Sequence, residues 1–361
     1  MRYTKVHIES FGYELPPVVV TTRELEERLA PLYQKLHIPV GQVEHMTGIH
    51  ERRWWPDGFE VSQGAIAAGR KALEASGLDA SDLGMVVYGS VCREYFEPAT
   101  ACRIADGLGV GGRAFVYDIS NACLGVLNGM VEIANRIELG QIRAGISIGC
   151  ETAREINEVM IARMLEAGDM ETFIPSLATL TGGSAAVAVL LTDASLSREK
   201  RRRLLGGAAR SAPQFHELCT WGLEPASREG QRTRTPLGSV CSRHYSPLHY
   251  TDAAAVQKNG VELGGQTFRD FLDTLGWKVG DVDKTICHQV GAAHRETVLK
   301  TLGLPSARDF ITYPFFGNIG TVALPITLAI AEEREFLDVG DRVGLLGIGS
   351  GLNCLMLGVE W

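Results

Sequence analysis

Three stretches of this 361-residue chain recur further along it, in the same order and at nearly the same spacing. Residues 72–91, ALEASGLDASDLGMVVYGSV, match 271–290, FLDTLGWKVGDVDKTICHQV, at an offset of 199. Residues 113–125, RAFVYDISNACLG, match 308–320, RDFITYPFFGNIG, at 195, and residues 140–150, GQIRAGISIGC, match 340–350, GDRVGLLGIGS, at 200. The first pair reads as the end of an amphipathic helix, a glycine, a short loop with one aspartate (Asp82, Asp281), and a strand. A duplicated strand–helix unit restricts the chain to two similar halves packed about a pseudo-twofold axis. The runs GMVVYG, RAFVYD, GISIG and SAAVAVLL are continuously apolar, as strands covered on both faces require. The expectation is an α/β protein of layered sheets and helices. Its halves, 1–195 and 196–361, are expected to meet near TDASLSREKRRR (192–203), where apolar periodicity gives way to charge.

In such sheets ligands collect at the carboxyl ends of the strands. The duplication superposes Cys123 on Asn318, Cys150 on Ser350, and Gly89 on His288. Cys123 stands where an apolar strand hands over to a helical pattern (Leu124, Leu127, Val131, Ala134), with Gly125 and Gly129 close behind. Unsatisfied N–H groups at a helix start favour negative charge, so a thiolate is expected there; a buried, inert thiol is the alternative. His288 ends a strand in KTICHQVG, and Asn318 lies in the glycine-flanked turn FFGNIGTVALP. Either is unremarkable alone, as a core histidine or a turn asparagine. The repeat places both at the same kind of seam as Cys123. GIGSGLNC (347–354) reads as a tight turn between two final strands, whose N–H groups suit an oxyanion hole.

Other motifs lead elsewhere. GISIG (145–149) has the G-x-S-x-G spacing of a hydrolase elbow, but its repeat mate carries Gly347 where Ser147 stands, and no triad accompanies it. GLGVGG (107–112) has the dinucleotide spacing but precedes a strand instead of following one. His216 and Cys219 in HELC, with Cys241 and His244 in CSRH, are four candidate zinc ligands within a polar, arginine-rich segment. A net charge of −8 argues against binding nucleic acid or an anionic membrane. MRYTKVHIES has no apolar signal core, and no run reaches the roughly 18 apolar residues of a spanning helix, so a cytoplasmic protein is expected. Eight cysteines scattered through apolar runs fit reduced thiols.

NACLGVLNG, ICHQV, FFGNIGTVALP and LLGIGSGLNC together resemble the cysteine, histidine, asparagine and C-terminal glycine motifs of the ketoacyl synthase III-like condensing enzymes, in the thiolase superfamily. The resemblance runs over nearly the whole chain. It implies a thiolase-like fold of two βαβαβαββ halves in an αβαβα arrangement. It also implies an acyltransferase in which Cys123 is the nucleophile, His288 and Asn318 bind the carbonyl of the second substrate, and Ser350 lends an oxyanion-hole N–H. The stretch SVCREYFEPATACRIADGLGV (90–110) is similar to the branch that joins two acyl-CoA molecules head to head. There the glutamate of the E-P pair, here Glu97, crosses a homodimer interface into the partner's active site as a base. Its pKa is expected to be raised by burial at that interface.

Two positions depart from ketoacyl synthase III proper: Gly291 replaces the second asparagine after the H-Q pair, and Met46 replaces the arginine before TGI. Both point away from malonyl-dependent elongation, toward a non-decarboxylative Claisen condensation of acyl-CoA or acyl-carrier-protein thioesters. No cofactor or metal is required, coenzyme A thioesters being substrates. Arg52, Arg53 and the run Lys200–Arg203 are candidate cations for the coenzyme A phosphates, or else a solvated cluster. The alternatives are decarboxylative ketoacyl synthase III chemistry, hydroxymethylglutaryl-CoA synthase chemistry, and a non-catalytic acyl-binding or assembly homologue.

Overall fold

The computed structural model describes residues 1–197, 201–225 and 245–361. Its strands are β1 (Val6–Glu14), β2 (Val18–Thr21), β3 (Glu51–Trp54), β4 (Met85–Tyr88), β5 (Phe115–Asp118), β6 (Ala144–Glu151), β7 (Ala185–Asp193), β8 (Arg203–Ser211), β9 (Cys219–Pro225), β10 (Tyr245–Thr251), β11 (Lys284–Cys287), β12 (Arg342–Gly349) and β13 (Asn353–Glu360). Nine of them form one mixed sheet in the order β11-β12-β13-β8-β1-β7-β6-β4-β5. From the central antiparallel β1–β8 contact outward the two sides repeat: two antiparallel pairings, then a parallel one. A parallel bridge from Thr285 to Asp309 stands at the edge where the other side has β5. The chain passes from one side to the other between Asp193 and Arg203.

The equivalence extends to side chains. Helices Val61–Ser76 and Ala253–Leu275 both stop at a glycine in the left-handed region, Gly77 (φ 64°) and Gly276 (φ 69°). After each, the expected aspartate closes a turn: Asp82 accepts from the Asp79 N–H at 3.0 Å and Asp281 from the Lys278 N–H at 2.8 Å.

Three clusters of buried side chains account for the layering. The largest joins helices Gly125–Glu138 and Ala323–Glu333 to the inner faces of strands from both sides, with Val87 and Val187 opposite Leu345 and Leu357. A second packs helices Val61–Ser76 and Thr100–Leu108 on the outer face of β4, β6 and β7. A third packs Ala253–Leu275 and Ala292–Leu302 on the outer face of β13. Helices therefore cover both faces and fill the middle, giving five layers in the order αβαβα. Strand β7 shows the pleat directly: Ala185, Val187, Val189 and Leu191 face the central cluster, and Ala186, Ala188 and Leu190 the outer one. This is why no polar–apolar alternation marks these strands in the sequence.

One close approach sets the site. A Cβ on Gly89 would lie 2.4 Å from the Gly125 carbonyl, and one on Gly125 equally close to Gly89. With no side chain at either position, the helix carrying Cys123 starts directly against the end of β4. Among the described residues no helix is long and apolar enough to cross a membrane.

Candidate active site

Cys123 lies in the single 3₁₀ turn Ala122–Leu124 that leads into helix Gly125–Glu138. The residue before it, Ala122, has φ 44°, in the left-handed region, which costs a non-glycine residue on the order of 1 kcal/mol. The turn is held by an asparagine chain: Asn353 Nδ2 donates to Asn121 Oδ1 at 2.9 Å, and Asn121 Nδ2 to Asn128 Oδ1 at 2.8 Å. Gly349, at the end of β12, comes close enough that a Cβ would sit 3.4 Å from the Cys123 nitrogen.

Cys123, Asn318 and Ser350 line one cavity of about 450 Å³, together with Glu151, His216, Cys219 and His249. Asn318 is fixed by its backbone: its N–H donates to the Thr181 carbonyl at 2.8 Å, and its carbonyl accepts from Gly183 at 3.0 Å. Its Oδ1 accepts the Gly320 N–H at 3.1 Å, which leaves the NH₂ end for a ligand. Ser350 sits in the β12–β13 hairpin, as the glycine-rich turn suggested.

His288 is placed differently. It is 7% exposed and lines a small cavity of about 30 Å³ with His294, Gly347 and Ile348, and it is absent from the wall of the Cys123 cavity. Its backbone N–H donates to the Leu346 carbonyl at 2.9 Å. Glu97 is exposed on this subunit and does not line the Cys123 cavity of its own chain; the Glu97–Pro98 peptide is cis.

The surroundings of Cys123 oppose the expected thiolate. Burial pushes the Cys123 thiol up to about 12, and Cys219 and Glu151 add to the rise. Cys123 is half-buried at the cavity wall, so partial loss of water opposes the thiolate stabilisation expected of a helix start. Burial, aided by His294, pushes His288 down to about 3, so its imidazole is neutral. Burial also raises the Glu151 carboxyl.

The cation assignment is corrected for Arg52, and Lys200 lies outside the described residues. Arg52 is fully buried and donates to the Thr22 hydroxyl (2.9 Å) and the carbonyls of Leu180 (2.8 Å) and Val20 (3.3 Å), so it is a core group. Arg53 donates to the Pro16 carbonyl at 3.3 Å. Arg202 pairs with Glu332, and Arg203 with Glu360 at 2.6 Å. Ser147 is buried and donates to the Val126 carbonyl at 2.8 Å, holding the Cys123 helix against β6. His216 and Cys219 line the Cys123 cavity; Cys241 and His244 lie outside the described residues, and among those described no three-residue metal cluster occurs.

Sequence reasoning missed Glu151, Asn121 and His249. Glu151 carried a signal, as the one charged residue of a wholly buried strand. His249 carried none, because it reaches the cavity through the β9–β10 ribbon, where its Nδ1 lies 3.0 Å from the Thr179 hydroxyl.

A cysteine at a strand–helix seam, facing its repeat-related asparagine across a duplicated αβαβα core, defines a condensing enzyme of the thiolase fold. Residues 272–361 match the C-terminal family of 3-oxoacyl-[acyl-carrier-protein] synthase III. The chain is 53% identical to the acyl-CoA:acyl-CoA alkyltransferase of Shewanella oneidensis and 33% identical to that of Xanthomonas campestris, over 100% of both chains in each case. Crystal structures of Xanthomonas campestris OleA superpose with a TM-score of 0.90 at 32% identity, covering 100% of this chain and 98% of that one. One of them, with a TM-score of 0.88 at 32% identity over 99% of this chain and 100% of that one, holds lauric acid and lauroyl-CoA. The chain belongs to the acyl-CoA:acyl-CoA alkyltransferase (OleA) family, within the ketoacyl synthase III-like condensing enzymes.

Proposed function

We propose that this enzyme joins two acyl-CoA molecules head to head in a non-decarboxylative Claisen condensation. The observation that carries this reading is the shared cavity of Cys123, Asn318 and Ser350 in a chain 53% identical to an acyl-CoA:acyl-CoA alkyltransferase. The Cys123 sulfur attacks the thioester carbonyl of the first acyl-CoA, the C–S bond to coenzyme A breaks, and the thiol proton leaves on the coenzyme A sulfur. Backbone N–H groups of Cys123 and Ser350 stabilise the tetrahedral oxyanion.

The second acyl-CoA then presents its carbonyl to the Asn318 NH₂, and the neutral His288 N–H joins as second donor once substrate opens its small cavity onto that of Cys123. Charge grows on that oxygen as the α-proton is removed, and donors fixed in advance stabilise it most at that stage. Glu97 of the partner subunit takes the proton. The carbanion attacks the acyl group on Cys123, the acyl–sulfur bond breaks, and the proton returns to the cysteine. The product is a β-ketoacyl thioester, released as the acid after hydrolysis. Exposure of Glu97 on the single chain, beside exposed Tyr95 and Phe96, supports a homodimer that covers this loop. No cofactor is needed, because the thioesters carry the activation. The seven free thiols among the described residues fit the cytoplasm.

Intact-protein mass spectrometry with lauroyl-CoA and no malonyl donor tests this reading. An acyl adduct on Cys123 followed by a β-keto product is expected. A product that appears only with a malonyl thioester would establish the decarboxylative alternative. An adduct that never forms would leave a non-catalytic acyl-binding protein.

A further inference from the structure

The end of β6 carries an acid that the chemistry above leaves unused. Glu151 is 4% exposed and lines the Cys123 cavity. Burial is the largest influence on its carboxyl and raises it. Its two oxygens are spent on backbone: Oε1 accepts the Val91 N–H at 3.2 Å and Oε2 the Cys92 N–H at 3.3 Å. These residues open the loop that reaches Glu97.

On its other side Glu151 meets Gly320, two residues past Asn318. A Cβ there would lie 3.2 Å from the Glu151 Cδ and Oε1. The junction is reinforced by the Tyr88 hydroxyl, which donates to the carbonyls of Cys92 (2.8 Å) and Cys150 (3.0 Å). The far end of the loop is held by Asp118, whose carboxylate accepts the N–H groups of Thr100 (3.0 Å) and Ala101 (2.9 Å). Between these anchors Glu94 accepts the Ser62 N–H at 2.9 Å and pairs with Arg103 at 2.9 Å. The segment bearing Glu97 is thus pinned at both ends while Glu97 itself stays exposed.

We propose that Glu151 is a positioning residue: its carboxyl locks the start of the Glu97 loop to the Asn318 loop, and so sets where Glu97 is delivered. The same side chain walls the Cys123 cavity of its own subunit, which links each nucleophile's pocket to the base lent to the neighbour. The inference rests on the reading of Glu97 as that base.

The test separates the two half-reactions with lauroyl-CoA, in Glu151→Gln, Glu151→Ala and Glu97→Gln enzymes. Acylation of Cys123 is followed by intact mass and coenzyme A release, condensation by β-keto product. Removing a carboxyl beside Cys123 changes acylation as well, so the readout is the ratio of condensation to acylation, which is expected to fall about tenfold or more in the alanine variant. The glutamine variant is expected to lie between, because its one amide oxygen still accepts one of the two N–H groups. Both half-reactions falling in proportion would reduce Glu151 to a structural prop and overturn the inference. So would unchanged condensation in the Glu151 variants beside an impaired Glu97→Gln. Full condensation by Glu97→Gln would instead remove the base reading, and this inference with it.

Discussion

The Val126 N–H donates to the Thr321 hydroxyl oxygen at 2.8 Å, a buried hydrogen bond between residues 195 positions apart. That spacing is the offset of the repeat, so equivalent positions of the two halves bond to each other near the pseudo-twofold axis. The bond lies three residues past both Cys123 and Asn318. It ties together the two turns that carry Cys123 and Asn318.

Thr321→Val keeps the side-chain shape and removes the acceptor. The Val126 N–H is then left buried without a partner, which costs about 1–3 kcal/mol. A lowered thermal midpoint with reduced Cys123 acylation is expected. A variant with the parent's midpoint and acylation rate would show that the bond contributes nothing.

Gly89→Ala forces a Cβ to 2.4 Å from the Gly125 backbone, a contact that no side-chain motion relieves. Soluble expression and thermal midpoint should drop well below those of Gly111→Ala, where a Cβ meets nothing within 4 Å. Equal stability of the two variants would contradict the strand–helix contact described here.

Alkylation reports the protonation of Cys123. With the thiol raised to about 12, almost no thiolate exists at pH 7, and the fraction grows about tenfold per pH unit. Iodoacetamide labelling mapped by peptide mass spectrometry is expected to find exposed Cys102 modified readily, and Cys123 slowly until the pH is well above neutral. Fast labelling of Cys123 at pH 6 would restore the stabilised thiolate expected from its position at a helix start.

Acid stability follows from the buried imidazoles. Burial lowers His288 to about 3 and His249 to about 4, from the usual 6.5. Below 6.5 the unfolded chain takes up protons that the folded one refuses, so stability falls as pH drops. The loss is on the order of 1.4 kcal/mol per pH unit for each histidine, down to about pH 4 for His249. Unfolding midpoints measured from pH 7 to 5 should decline less steeply in His249→Gln. Parallel declines would remove His249 from the account.

Much of the architecture was legible because it rests on local rules. A strand covered on both faces must be continuously apolar, and β6 and β7 read that way. Helix ends at Gly77 and Gly276 were legible because only glycine adopts that backbone cheaply. The repeat aligned Cys123 with Asn318, and the glycine-rich GIGSGLNC marked the hairpin of Ser350. Arg52 was misread as a phosphate-binding surface cation, since nothing local to ERRWW reveals that its guanidinium is enclosed by carbonyls from residues 20 and 180.

By itself, the sequence determined a duplicated α/β core and the seams where its chemistry-bearing side chains stand, because periodicity, glycine and the repeat act along the chain. Only the tertiary structure decided that burial raises the Cys123 thiol, that His288 lines a separate small cavity, and that Glu151 lies between the Glu97 and Asn318 loops. Those outcomes depend on which groups are brought together through space and how completely water is excluded from them, and neither is encoded in any short stretch of chain.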